Sequence, residues 1–511
     1  MIISLSVLVI TIIVSGTYAL YKTQLSKNIG VNTTTHGLAY YINYVKGTDI
    51  TAATLNPSTS YESGASSDIE FWKKDDSYDI YGKIDLTVNT IGTNLKNSPA
   101  LKYAVVNNGN VLSTGSLKGT TSGSKVTILK NLYLEQTKQI YTVYVWLDNS
   151  EELGNISNES LSISVDCTAS LQKEPTAADT IISLYTSAAK VTATNNSITY
   201  NTAPSVSLMN DRLGGTTTDL DGGNIRYYGA NPNNYIYFNC SDYSNQTSST
   251  CETWRIIGVF DGKLKLIRGS QIGTYSWDNK DTSTGAESNF GKNDWTTARL
   301  MKLLNPSDYY TTDSNDNNLG QGLYYNSASG KCYSGQNNAT VDCNFTSTGI
   351  KNDITRNMIA ETTYNLGGWN SNTVYPNLMY EKERGTTVYT GRPTTPWTGK
   401  IALAYTSDYG YAADLNQCKD KTLYDYNNST CTSNNWMKAI ITNNGSNSGW
   451  LLTPYCSTSS NVWYVYPVGN VYFNYTVYSA FGAVPVLSLS SELGIESGGD
   501  GSSSNPYKLS A

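Results

Sequence analysis

The chain holds a single histidine, His36, set in the polar run Asn32-Thr33-Thr34-Thr35. That scarcity excludes much chemistry. Ser-His-Asp catalysis, a Cys-His nucleophile pair and multi-histidine metal sites all need imidazoles the sequence does not supply. His36 itself reads as a surface or capping residue. Charge is sparse too, at 15% of residues, with a formal net charge of −6. No Lys/Arg-rich stripe occurs, which argues against nucleic acid as a partner. Metal-type CxxC spacing is missing. The acidic runs at 217–223 and 313–320 lack the Gly and Glu placement of a calcium-binding EF-hand loop. Calcium is the one cofactor they raise, and solvated turns are the expectation for both.

The sequence is instead rich in Tyr, Asn, Ser, Thr and Gly, a composition of β-structure with many polar turns. At 511 residues it exceeds a single hydrophobic core, so two or three domains are expected. Residues 2–20 form an uncharged apolar run of about the length that spans a bilayer. No basic segment precedes it, and Thr17-Tyr18-Ala19 places small residues where a signal peptidase could cut. Export is expected, with the segment either cleaved or kept as a membrane anchor. Lys22 and Lys27 beyond it leave the orientation open.

Six of the eight cysteines fall into local pairs: Cys240 with Cys251, Cys332 with Cys343, and Cys418 with Cys431. Each pair brackets a short polar loop of the kind a disulfide staples, which fits an oxidising compartment. The alternative is reduced structural cysteines. Cys167 and Cys456 remain without an evident partner.

The fold class expected is mainly β, with an α+β second domain. Residues 21–168 alternate with period 2, as in Ile84, Leu86, Val88 and again in Leu101, Tyr103, Val105. Turn signals such as Asn107-Asn108-Gly109 separate the runs, and the whole reads as an antiparallel β-sandwich. The apolar segment ending Gly16-Thr17-Tyr18-Ala19, the run Ser67-Asp68-Ile69-Glu70-Phe71-Trp72 and the strand at 141–148 resemble camelysin/TasA-like exported fibre proteins. The resemblance implies a secreted module able to self-associate. Residues 169–200 read as a linker and short helix, with Ile181, Ile182, Leu184 and Tyr185 on one face. A second domain is expected over 201–497, and 498–511 reads as a flexible tail. Within that domain, helices are expected at 295–304, capped by Asn293 or Asp294, and at 354–366, capped by Asp353. The order of Cys251-Glu252-Thr253-Trp254-Arg255-Ile256-Ile257-Gly258, Asn293-Asp294-Trp295, Gly449-Trp450-Leu451-Leu452 and Gly482-Ala483-Val484-Pro485 resembles the bacterial C-type-lectin fold. Its branches include formylglycine-generating-enzyme-like and retroelement-diversified variable proteins. In the latter, a late Tyr/Asn/Ser-rich segment forms the ligand face. They commonly end near Gly-[Phe/Val]-Arg, where this chain has Ala483 and Val484.

The segment 455–478 has that composition, which is also that of an antibody paratope. Its expected contact residues are Tyr455, Ser457, Ser460, Asn461, Trp463, Tyr464, Tyr466, Asn470, Tyr472, Asn474, Tyr475 and Tyr478. The plainer alternative is a polar hairpin with Val462, Val465, Val468 and Val471 turned inward. The remaining tryptophans of this half read as core. Carboxylates at Glu361, Glu381, Glu383, Asp408 and Asp414 show no spacing that singles out an acid–base pair, and Cys456 lacks a reactive partner. The expected function is therefore non-catalytic recognition of an external protein or glycan. A fibre or matrix subunit is the alternative, ahead of an oxidase or hydrolase.

Overall fold

The computed structural model describes residues 23–25, 41–51 and 55–510, apart from 56, 150, 152, 157, 197, 213–222, 244, 280–290, 312–319, 372, 386, 390–391 and 394–395. The apolar segment at 2–20, His36 and most of both acidic runs lie outside the described residues. Among the described residues, no helix is long and apolar enough to cross a membrane. The chain is mainly β, with several antiparallel sheets, and divides into two compact units between Glu174 and Pro175.

The first unit is built from two sheets that share one core. One sheet runs in the order Thr23–Leu25, Leu161–Ser170, Tyr81–Ile91, Lys125–Tyr133. The other runs Ile42–Val45, Ala65–Lys73, Ile140–Asp148, Leu101–Asn107, Asn110–Ser116. Alternation explains the packing. Along Ala65–Lys73 every second residue is buried, so Ile69 and Phe71 meet Ile84, Leu86 and Val88 of the opposite sheet in one apolar cluster. The strand Ile140–Asp148 carries aromatics on both faces. Tyr141 enters the core, while Tyr144 and Trp146 pack under Tyr61 on the outside, with centroids 5.2 and 6.2 Å away. Cys167 is a free thiol in this core, and burial raises its pKa.

The second unit begins at Pro175, upstream of the expected boundary at 201. Thr176 and Asp179 form a reciprocal capping box that starts the helix Ala177–Ser187. Ile181 and Tyr185, one turn apart, are its buried face. A nine-stranded sheet is centred on Glu252–Phe260 and Lys263–Arg268. A five-stranded sheet holds Thr274–Tyr275, Phe481–Gly482, Gly449–Pro454, Val462–Val465 and Val471–Tyr472 in that order. The central strands are buried on both faces, continuously over 254–259, 264–268 and Gly449–Pro454, so burial does not alternate along them. Trp254, Ile256 and Trp450 face one apolar cluster; Ile257 and Leu451 face another.

Three expectations are corrected here. The helix at 295–304 is split: Asp294 caps a 3-10 turn, Trp295–Thr297, then Ala298 is extended and the helix proper is Arg299–Leu304. The helix expected at 354–366 is only Asp353–Met358, and its cap is Asn352, whose side chain accepts from the Thr355 N–H. Beyond it the β-branched Thr362 and Thr363 pair in a strand with Trp397–Gly399. The tail is not a loose end either. Tyr507 exchanges backbone hydrogen bonds with Tyr235 and Tyr237, and Leu509–Ser510 pairs with Gly494–Ile495. A C-terminal segment that completes a sheet edge is ordered by the same ladder that orders any strand.

Candidate functional site: a tyrosine face braced by a disulfide loop

All three local cysteine pairs are disulfides: Cys240–Cys251, Cys332–Cys343 and Cys418–Cys431. The third shapes the surface formed by 455–478. That segment starts as a loop, forms the strand Val462–Val465, turns at 466–469 and returns as Val471–Tyr472. Asn293 pins the loop, its side-chain amide donating to the carbonyls of Tyr455, Thr458 and Asn461 at 2.8–3.1 Å. The turn closes through Gly469 N–H to Tyr466 O at 2.8 Å. Gly469 has φ +108°, and a Cβ there would meet Thr432 at 2.6 Å, so glycine is required on both counts. Thr432 adjoins Cys431, and Tyr409 donates to the Gly469 carbonyl, so the turn is seated against the disulfide loop.

The strand Val462–Val465 is buried on both sides. Val462 and Tyr464 point into one cluster; Trp463 and Val465 point into the other. Three expected contact residues are therefore corrected: Trp463, Tyr464 and Asn470 are 0%, 1% and 1% exposed and support the surface without reaching it. Trp463 lies edge-on to Phe473 and donates its indole N–H to the Trp369 carbonyl at 3.3 Å. Tyr464 donates to Asn474 and packs against Trp450, Tyr475 and Phe481. Burial, together with the neighbouring tyrosines, raises its pKa. The valines resolve the hairpin alternative: Val462, Val465 and Val471 are inside, and Val468 is 52% exposed at the turn.

The sheet also sorts the other expected residues. On one side, Tyr472 sits opposite Tyr464 in register, with rings stacked at 6.3 Å. Tyr466 lies 5.7 Å from Tyr472, and Tyr475 5.6 Å from Tyr464. Tyr466 and Tyr475 are 40% and 47% exposed, and Asn474 is exposed beside them. On the other side, Tyr455 stacks on Phe473 at 4.0 Å and 9°, next to Trp369. Ser457 is exposed on the loop, while Ser460, Asn461 and Tyr478 are half-buried. The twelve positions thus do not form one continuous patch. The tyrosines of the first side are linked by ring-to-ring contacts running from Tyr466 through Tyr472 and the buried Tyr464 to Tyr475, so the exposed rings are joined from beneath.

Sequence reasoning missed two members of this face. Tyr424 reaches it from inside the Cys418–Cys431 loop, its ring 5.0 Å from that of Tyr472. Phe481, from the next strand, closes it at 5.3 Å from Tyr475. The bracketing cysteines were the available signal for Tyr424. Nothing local in the sequence marks Phe481.

The residues considered for catalysis are placed otherwise. Glu383 is fully buried and accepts from the Ser407 N–H and hydroxyl and from the Thr453 hydroxyl. Burial raises its pKa. Asp408 accepts from Arg226 at 3.0 Å, from Lys265 and from the Tyr405 N–H. Burial pushes Asp408 up, but Lys265 and Arg226 together outweigh that and hold it below the ordinary carboxylate range. Both carboxyls are sealed structural acceptors. Glu361 takes a hydrogen bond from Tyr309, and Asp414 caps the Asn416 N–H. Glu381 is exposed. Cys456 is a buried free thiol whose pKa is raised by burial, the reverse of an activated nucleophile. Among the described residues no group of His, Cys, Asp and Glu could hold a metal ion. Comparison with known proteins finds no matching family and no similar curated protein.

Proposed function

We propose that this is an exported or surface-anchored recognition protein that binds an external protein or glycan through the tyrosine face of its second unit. One observation carries the reading: Tyr424, Tyr466 and Tyr472 form a connected, partly exposed aromatic array, joined to exposed Tyr475 through the buried Tyr464. Tyrosine offers large contact area at little entropic cost, and its ring packs on either a sugar face or a protein side chain. The disulfides suit an oxidising compartment and hold the loop that delivers Tyr424. The reading takes the second unit as C-type-lectin-like, with Asn293-Asp294-Trp295 serving to fix the ligand-facing loop. The test is an array of glycans and cell-surface proteins, probed with the full chain and with Tyr466→Ala/Tyr475→Ala. Signals that vanish in a variant of unchanged melting temperature support the proposal; signals indifferent to both changes refute it.

A fibre-subunit role has one observation in its favour. Asn110–Ser116 is an edge strand with Val111 and Leu112 46% and 41% exposed. Such an edge is a template for pairing between copies. Sedimentation of the full chain over a concentration series, with and without Val111→Lys, separates this role from a monomeric binder.

A further inference from the structure

A cavity of about 460 Å³ opens on the second unit, lined in part by Tyr235, Glu252, Arg255, Arg268, Asn443 and Asn444. Its two arginines differ. Arg268 is committed, forming two hydrogen bonds to Glu252 at 3.0 and 3.2 Å and others to Ser270 and Gln271. Glu252 also accepts from the Trp254 indole, so its charge is answered. Arg255 has no carboxylate partner among the described residues. Its Nε donates to the Asn234 side chain and one Nη to the Pro232 carbonyl. A guanidinium has five N–H donors, so the others are left for a ligand. The residue is nonetheless only 6% exposed, with the guanidinium Cζ 3.6 Å from the Tyr235 ring centroid and 5.0 Å from that of Trp436. Burial lowers its pKa to about 10, against a smaller raising effect from Tyr235. Burying a cation without a counter-charge is unfavourable, and a bound anion would offset that.

The lining also includes a left-handed turn. Asn443, Asn444 and Gly445 have φ of +47°, +55° and +86°, three left-handed residues in succession. Two of them are asparagine, the non-glycine residue that most readily takes this conformation. Both asparagines are exposed, and their side-chain amides make no hydrogen bond to any described residue. Thr253 and Ser270 add hydroxyls to the lining.

We propose that this cavity binds a sugar acid, with the planar Arg255 fork taking its carboxylate and the Asn443 and Asn444 amides taking ring hydroxyls. One uncompensated cation matches a monoanion, and guanidinium geometry matches a carboxylate. Arg268 and Glu252 in the lining neutralise each other as an ion pair, and the other donors and acceptors are neutral, as sugar hydroxyls require. The cavity shares no lining residue with the tyrosine face, so either proposal can fail alone.

The test is titration of the full chain with glucuronate, glucose and acetate, followed by NMR or calorimetry. Glucuronate is expected to bind at least about tenfold tighter than either of the others, the scale of one charge-assisted hydrogen bond. Arg255→Gln is expected to abolish that difference. Because Arg255 also packs on Trp436, a second variant guards against misfolding. Asn443→Gly/Asn444→Gly removes both amides while relieving the backbone, and is expected to weaken glucuronate binding with no drop in melting temperature. Glucose or acetate binding as tightly as glucuronate, no glucuronate binding at all, or full affinity retained in both variants overturns the proposal.

Discussion

The Tyr424 and Tyr472 hydroxyls lie 3.2 Å apart, joined by a hydrogen bond between a disulfide loop and a strand. Their rings meet edge-on at 5.0 Å. Tyr472 comes from the late hairpin; Tyr424 comes from the loop between Cys418 and Cys431. The tyrosine face is therefore a composite, and its geometry depends on the loop being held.

Removing that staple is the direct test of the dependence. Cys418→Ser/Cys431→Ser frees a loop with a sequence separation of 13. Chain entropy alone puts the cost near 3 kcal/mol. Chemical denaturation should show that loss, and hydrogen exchange should speed up across 418–431 and at the 466–469 turn seated on it. Tyr424→Phe removes only the exposed hydroxyl link, and its cost should stay within about 0.5 kcal/mol.

The two classes of aromatic in the hairpin should differ in what their truncation costs. Trp463→Ala opens a cavity beneath Phe473 and Tyr455, and truncation of a buried aromatic costs about 3–5 kcal/mol. Tyr464→Ala should cost a similar amount, since it carries Trp450, Tyr475 and Phe481. Tyr466→Ala and Tyr475→Ala sit at the surface and should move stability by under about 1 kcal/mol. Urea denaturation of the four variants checks the division. A small loss at Trp463 would mean the strand is not buried on both sides.

That division also shows what the sequence could disclose. In the first unit, strands alternate because one face meets the core and the other meets water, so Ile84, Leu86 and Val88 could be placed from spacing alone. The cysteine loops were readable for the same local reason. In the hairpin, composition pointed to tyrosine-rich recognition but could not say which tyrosines turn outward. Val462–Val465 has apolar or aromatic residues at every position, and a strand buried on both faces has no alternation to read. Helix ends failed where tertiary pairing took over, as at Thr362–Tyr364. Tyr507, in a tail rich in Gly and Ser, became a strand-edge residue through partners more than 200 positions away.

Asp408 anchors the helix Thr406–Tyr411 through two cations, and Arg226 extends the link to Asp211. Breaking one member strands the rest. Asp408→Asn leaves Arg226 and Lys265 buried with less countercharge, a change worth about 3–5 kcal/mol in sites of this kind. Asp408 titrates below its ordinary value in the fold, so its contribution is present above the unfolded carboxylate pKa and is lost as pH falls through the folded one. The acid limb of the wild-type stability profile should therefore flatten in Asp408→Asn. An unchanged acid limb in equilibrium unfolding from pH 6 to pH 3 would contradict the assignment.

Glu383 has the opposite sign. Burial raises its carboxyl, so the folded state holds a proton that the unfolded chain releases above about pH 4.3. Its stabilising contribution is complete below that value and declines as pH rises through the folded pKa. Glu383→Gln keeps an oxygen to accept from the Ser407 N–H and Thr453 hydroxyl, and the Ser407 hydroxyl can rotate to accept from the new amide. The substitution cannot ionise. Relative to wild type it should gain with rising pH, with its most unfavourable comparison at pH 4 and its most favourable at pH 8. Urea unfolding at those two values decides the matter. A wild-type advantage that grows toward pH 8 would show that Glu383 is held as a stabilised anion by Ser407 and Arg384, and that burial is the weaker influence.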